Sequence, residues 1–299
     1  MVSPDNRQQV SGASTATMSP RIGLALGGGG ARGIAHVIVL EVLDEMGVKP
    51  SIITGTSIGA LIGSAYAAGI SGAHIRAHLT ETLGDRFYLI RQIFGARSQP
   101  VQKLLNVLPM RSALLDPIAL LDLVLPAGLP TDIAQLDIPF RAIATDMRSH
   151  EAFVFQEGSL KERVAASIAI PVLFAPVSLD GTVYADGGLV NPLPLNAFDV
   201  PTDITIGVDV TGSRDDTQIT DQPSITTMLL HSVTIFQKTI IGAQLKASPP
   251  DIYLDLDVGQ FGALQFNRVN EILEAAEAAK DDFRRQLERI LSTPTLPTE

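Results

Sequence analysis

The chain has 299 residues, 22 of them basic and 32 acidic, for a formal net charge of -10. A surface this acidic repels nucleic acid and anionic lipid at long range, which argues against DNA binding and leaves membrane contact to apolar insertion or a local basic patch. Hydrophobic residues make up 45%, Trp is absent and there is no cysteine. The core is therefore expected to be built from Ala, Leu, Ile and Val, and disulfide, thiolate and Cys-ligated zinc chemistry are excluded.

Residues 1–20 are rich in Ser, Gln, Thr, Asn and Pro and lack the apolar segment of a signal peptide, so they read as a disordered tail. No uncharged apolar run reaches ~18 residues, and no transmembrane helix is expected. The expectation is a soluble, cytoplasmic protein whose membrane contact would be transient and peripheral, at the inner face. The apolar run 21–26, bounded by Pro20 and a glycine cluster, reads as a buried strand. After Gly27-Gly-Gly-Gly-Ala-Arg-Gly33, helical spacing of Ile34, Val37, Ile38, Leu40, Val42 and Leu43 predicts a helix over 34–46, ended by Gly47. Pro50 opens a second strand at 51–54. Gly55-Thr-Ser-Ile-Gly59 follows, then a small-residue helix at 60–68. This order is the right-handed βαβα start of a parallel sheet.

Residues 71–130 look mainly helical. Phe87, Tyr88, Ile90, Ile93 and Phe94 lie there among Arg86, Arg91 and Arg97, which makes the region a candidate cap over a site. Strand signals return at 140–145 and 152–156, expected to pair. A helix is expected at 160–168, stopping before Pro171. Asp180-Gly181 is a turn signal between strands at 176–179 and 182–185. Further elements are a strand at 204–210, a polar loop at 211–223, a helix at 225–246, a strand at 252–256 and a terminal helix at 269–291, with a tail at 292–299. The simplest organisation is one α/β domain over 21–291, a mostly parallel central sheet between helices in three α/β/α layers.

Gly55-Thr56-Ser57-Ile58-Gly59 matches G-x-S-x-G. A serine on a tight strand-to-helix turn points its hydroxyl outward, and flanking glycines relieve the crowding that a Cβ would cause. A plain glycine turn fits the same five residues, but the required strand precedes and the required helix follows. Such a serine needs a proton acceptor. Of His36, His74, His78, His150 and His231, only His231 lies late in the chain, and it sits inside an apparent helix. Asp186 ends an apolar strand and precedes Gly187 and Gly188, which places a carboxylate at a strand's C-terminal edge, where sites of open α/β sheets gather. An ordinary Asp-Gly turn is the competing reading.

Gly28-Gly-Gly30-Ala-Arg-Gly33 satisfies the G-x-G-x-x-G dinucleotide pattern. That pattern also requires an acidic residue ~20 positions on, at the end of the second strand; here Thr54 to Ser57 stands there instead. No G-K-[ST] follows, which removes a phosphate-binding P-loop. The remaining task for bare glycine N–H groups at a helix start is an oxyanion hole. Arg32 would either support the loop or meet a lipid phosphate.

Together, residues 23–33, 55–59 and 186–188, with Ala166-Ser-Ile-Ala-Ile-Pro171 and Asn191-Pro-Leu-Pro194, resemble the patatin-like phospholipase family, and within it the bacterial RssA-like subgroup. The resemblance covers residues 21–280 and is weakest over 84–130. It implies a Ser-Asp dyad without a catalytic histidine: Ser57 as nucleophile, Asp186 as base, and Gly28, Gly29 and Gly30, with Arg32, at the oxyanion hole. Gly55 and Gly59 would shape the elbow, and Gly33, Gly187 and Gly188 would support the motifs. It further implies hydrolysis of lipid acyl esters (phospholipid or lysophospholipid) through an acyl-enzyme, with no metal and no cofactor. The alternatives are an acyltransferase using the same dyad, or a regulatory interaction protein on a retired hydrolase fold. The sequence leaves the oligomeric state open.

Overall fold

The protein is described by a computed structural model that covers residues 20–85, 115–171, 173–212 and 225–293. The candidate cap residues Arg86 to Arg97, the N-terminal tail to residue 19, and most of the loop expected at 211–223 lie outside these.

Eight strands form one sheet. Four are parallel neighbours of the first: β1 (Ile22–Leu26) lies between β2 (Ile52–Thr56) and β7 (Ile204–Asp209), with β3 (Phe140–Asp146) beyond β2 and β8 (Ile252–Asp255) beyond β7. The remaining three, β4 (Ala152–Phe155), β5 (Val177–Leu179) and β6 (Thr182–Asp186), pair antiparallel with their neighbours. Both expected hairpins are present. In the second, Asp180 and Gly181 both take positive φ, 52° and 80°, the backbone that a two-residue turn of this twist requires.

The edges of β3 decide where the site forms. Along one edge lies β4, from Ala142 opposite Phe155 to Thr145 opposite Ala152. The other edge is divided: β2 pairs with it as far as Thr56 opposite Ile143, and β6 takes over at Ala144 opposite Asp186. Two strands of opposite direction therefore abut end to end on one edge, β2 running up to the junction and β6 arriving at it from above.

The sheet divides the interior in two. Ile22, Leu24 and Leu26 of β1 turn toward the larger core, with Ile206 and Val208 of β7. That core is closed by α1 (His36–Glu45), α2 (Ile58–Ala67), α3 (Gly72–Asp85), α4 (Pro117–Val124), α5 (Leu160–Ser167), α7 (Val269–Glu277) and α8 (Ala279–Ser292). The intervening Ala25 faces the opposite side, where it meets Leu193 and Ile241 of α6 (Ile225–Ala247). The result is the expected three-layer α/β/α arrangement with a mostly parallel sheet, and its fully buried residues are chiefly Leu, Ile, Val and Ala. On the outer side of α1, Glu41 accepts both arms of the Arg76 guanidinium at 2.5 and 2.7 Å and pairs with Lys280 at 2.8 Å, tying α1, α3 and α8 together.

Most boundaries differ from the sequence reading by a residue or two, and three of the differences are instructive. The second strand continues to Thr56, because Gly55 still pairs with Leu26 on one side and Ala142 on the other. The first helix begins at His36, since Gly30–Ala35 winds as a tighter 3-10 turn. The terminal helix is two helices broken at Ala278.

Candidate active site

Ser57 is the single residue between β2 and α2. It has φ 56° and ψ -123°, a backbone that a non-glycine residue holds only at a cost of about 1–3 kcal/mol. Its neighbours show how tight the turn is. A Cβ on Gly55 would stand 2.6 Å from the carbonyl oxygen of Gly59, and a Cβ on Gly59 would overlap the carbonyl oxygen of Leu26 and lie 2.8 Å from that of Gly27. The Ser57 N–H donates to Ser167 Oγ at 2.9 Å, and Ser167 Oγ donates to the Ile143 carbonyl at 2.5 Å. The strained turn is thus anchored through α5 to the strand that β2 and β6 share.

Asp186 is the last residue of β6, so the divided edge of β3 sets it beside the end of β2. Ser57 Oγ donates to Asp186 Oδ2 at 2.6 Å. Asp186 Oδ1 accepts the Gly188 N–H at 2.7 Å, and Thr145 Oγ1 donates to its main-chain carbonyl at 2.7 Å. Ser57 is 4% exposed and Asp186 3%. Burial pushes the Asp186 carboxyl up to about 6, against the opposing pull of the hydrogen bonds from Ser57 and Gly188. Gly187 cannot carry a side chain, since its Cβ would overlap the carbonyl oxygen of Ile143. None of the five histidines reaches Ser57 by a hydrogen bond; His36, buried in α1, instead bonds through Nε2 to the Gly27 carbonyl at 2.8 Å. Burial holds His36 down at about 4, so the imidazole is neutral. A neutral ring donates Nε2–H to that carbonyl, and its Nδ1 has no partner.

The glycine loop is more differentiated than its sequence suggests. The Gly28 N–H is already engaged by the Pro192 carbonyl at 2.9 Å, so the expectation that all three glycines offer their amides is corrected to two. No acceptor among the described residues takes the N–H of Gly29 or Gly30. Of the two places expected for Arg32, the structure shows the one that supports the loop. It is 3% exposed and turned beneath the loop, where it donates to the carbonyls of Gly29 (3.1 Å) and Thr211 (2.9 Å) and to Thr234 Oγ1 (3.3 Å). It therefore braces the loop from below. Gly33 packs so closely on the elbow that its Cβ would lie 2.7 Å from Ile58 Cγ1.

Residues 24–199, more than half of the chain, match the family model described as patatin-like phospholipase. The chain belongs to the patatin-like phospholipase family. Over 209 residues it is 37% identical to an uncharacterized NTE family protein of Mycobacterium tuberculosis, a match covering 70% of this chain and 54% of that protein. Over 221 residues it is 31% identical to patatin-like phospholipase domain-containing protein 7 of Rattus norvegicus, covering 73% of this chain and 16% of that protein. The chain thus spans about half the length of the mycobacterial relative. Among solved structures, VipD from Legionella pneumophila aligns with a TM-score of 0.44 at 14% identity, covering 89% of this chain and 67% of that one. The family-model match and the two sequence relatives establish the family and do not single out the RssA-like subgroup.

In this patatin-like chain two pockets meet at Ser57 and Gly30. The first is almost wholly apolar, walled by Ile58, Leu61, Leu79, Leu83, Leu120 and Phe174. The second shares those two residues and has polar walls from Arg32, Asp186, Thr234 and Gln237. Two contributors had no role in the sequence reading. Ser167 lies inside the segment 166–171 that carried the family resemblance, and that placement was the available signal. Gln237 belongs to α6, a helix whose sequence carries no catalytic motif. Among the described residues, no group of three or more His, Asp or Glu is placed to hold a metal ion, and no helix is long and apolar enough to cross a membrane.

Proposed function

We propose that this chain is a serine acyl hydrolase acting on lipid acyl esters, phospholipid or lysophospholipid, through an acyl-enzyme on Ser57. The observation that carries this is the 2.6 Å Ser57–Asp186 hydrogen bond, buried at the junction of an apolar and a polar pocket. Ser57 Oγ attacks the ester carbonyl and Asp186 takes its proton, as a buried carboxylate of raised pKa can. The N–H groups of Gly29 and Gly30 receive the oxyanion. The acyl chain lies in the apolar pocket, where burial of each CH₂ contributes about 0.8 kcal/mol. Gly28 and Arg32 hold the loop in shape.

The test is labelling with a fluorophosphonate. An adduct on Ser57 is expected in the folded protein, and a folded protein that forms none would favour the interaction-protein alternative. A lipid panel with mass analysis of products then identifies the ester that is cut.

The pH profile follows from Asp186. It serves as a base only when ionised, so kcat/KM is expected to rise through pH 6 and level off above it. A profile flat between pH 4.5 and 8 would contradict the assignment.

Transient contact with a lipid surface belongs to the same reading. Ile225, Met228, Leu229, Ile235 and Phe236 are exposed along one stripe of α6, while Leu230, Val233 and Gln237 on its other face line the polar pocket. Scattered exposed apolar residues are ordinary on a protein surface, but a contiguous stripe beside a pocket is not. The double variant Ile235→Asp, Phe236→Asp is expected to lose co-sedimentation with zwitterionic phosphatidylcholine vesicles about tenfold. Unchanged sedimentation would remove the stripe from the reading.

A further inference from the structure

Gln237 is 7% exposed, yet its side-chain amide makes no hydrogen bond with any described residue. Its amide atoms are not among the fully buried side-chain atoms that lack a partner, so the amide is open to the pocket it lines, where water satisfies it. Gln237 lines the polar pocket together with Gly29, Gly30, Ser57 and Asp186. A Cβ built on Gly188 would overlap Gln237 Nε2 and lie 2.9 Å from Asp186 Oδ1, so the amide and the carboxylate face the same small space without bonding to each other. The apolar pocket shares Ser57 and Gly30 with it and has no such polar wall.

We propose that Gln237 binds the water that deacylates the enzyme. This rests on the hydrolase reading above and adds to it where the second nucleophile stands. With the acyl chain in the apolar pocket, that nucleophile approaches from the polar side. The water donates one O–H to the Asp186 carboxylate and the other to Gln237 Oε1, which turns its lone pair toward the Ser57 ester carbonyl. Its oxygen bonds to the carbonyl carbon and its proton passes to Asp186. The oxyanion forms at the N–H groups of Gly29 and Gly30. The C–Oγ bond then breaks, Ser57 Oγ recovers the proton from Asp186, and the free fatty acid leaves. Gln237 touches the reacting water, so it is a catalytic residue of the second half-reaction and not of the first.

The experiment compares wild type, Gln237→Leu and Gln237→Asn with p-nitrophenyl butyrate. In Gln237→Leu the first nitrophenolate is expected to be released at the wild-type rate, as a burst of one per active Ser57. Steady-state turnover falls on the order of 10²-fold, and intact-mass analysis shows the butyryl-enzyme accumulating. Hydroxylamine, which attacks the ester without needing Asp186 or Gln237 to activate it, restores turnover. Gln237→Asn, which keeps an amide, retains more turnover than Leu. The proposal is overturned if turnover of Gln237→Leu equals wild type, or if release of the first nitrophenolate slows in proportion with turnover. Should the Leu variant not fold, Gln237→Met provides the same comparison with nearly the same shape. Failure of the underlying reading looks different: the wild-type protein itself would neither turn over the ester nor form a fluorophosphonate adduct.

Discussion

Ser57→Ala is expected to abolish covalent labelling and to lower kcat/KM for an acyl ester by about 10³-fold or more, and Asp186→Asn to lower it by about 10²- to 10⁴-fold. The two losses have different origins. In the proposed reaction, alanine removes the oxygen that forms the acyl-enzyme. Asparagine keeps the shape and can still accept the Gly188 N–H, but it cannot take a proton. The stability of the second variant separates a chemical defect from a folding defect. Burial raises the Asp186 carboxyl from the ordinary 3.8 to about 6, so folding favours its neutral form. Its contribution to stability is full below about pH 4 and is lost as pH rises through 6. Asparagine is neutral at every pH. Asp186→Asn is therefore expected to be more stable than wild type by about 1–3 kcal/mol at pH 8, with the difference closing by pH 4. Calorimetric or denaturant melts at both pH values check this. A variant that is inactive and less stable at pH 8 would mean that the carboxylate holds the fold and does not serve as the base.

The largest expected effect on stability comes from Gly59→Ala. The added methyl would overlap the Leu26 carbonyl oxygen and lie 2.7 Å from its carbon. Both atoms are backbone at the end of the central strand, so neither yields by a side-chain rotation. Overpacking of this kind costs at least about 3 kcal/mol where the obstacle cannot relax. Gly47 provides the contrast. It has φ 65° with nothing within 4 Å of the Cβ position, so Gly47→Ala meets only backbone strain and is expected to cost about 1–2 kcal/mol. Urea midpoints of the two variants measure the difference. If Gly59→Ala were no worse than Gly47→Ala, the close approach of α2 to β1 would not be what requires glycine there.

Local pattern made much of this molecule legible. The apolar runs at β1, β2, β3 and β7 are buried strands because each is flanked by glycine, proline or polar residues that end it, and burial on both faces removes any need for alternation. Ser57 and Asp186 were readable because their glycine neighbours have a mechanical cause: the elbow and the end of β6 each meet backbone too closely for a side chain. What could not be read depends on partners remote in sequence. Nothing in the glycine run distinguishes Gly28, whose amide meets Pro192, from Gly29 and Gly30. Arg32 looks like a surface cation until Thr211 and Thr234 come to enclose it. Gln237 lies in a helix whose apolar pattern gives no sign that one face lines a pocket. The break at Ala278 also has no local signal, since neither glycine nor proline is near it.

The divided edge of β3 has a consequence for the order in which the protein acquires activity. Ser57 and Asp186 are 129 positions apart, and each reaches the site only by docking its own strand on β3. β6 docks on β3 across the shorter loop, Ala144 to Asp186, and β2 across the longer one, Thr56 to Ile143, so the β2 pairing carries the larger closure cost. During refolding the Ser57–Asp186 contact is therefore expected to form only once that longer loop has closed, since contacts of long sequence separation are slow to form. Under the proposed hydrolase reading, the return of esterase activity during refolding would time that closure, the step that brings the strained serine to Asp186.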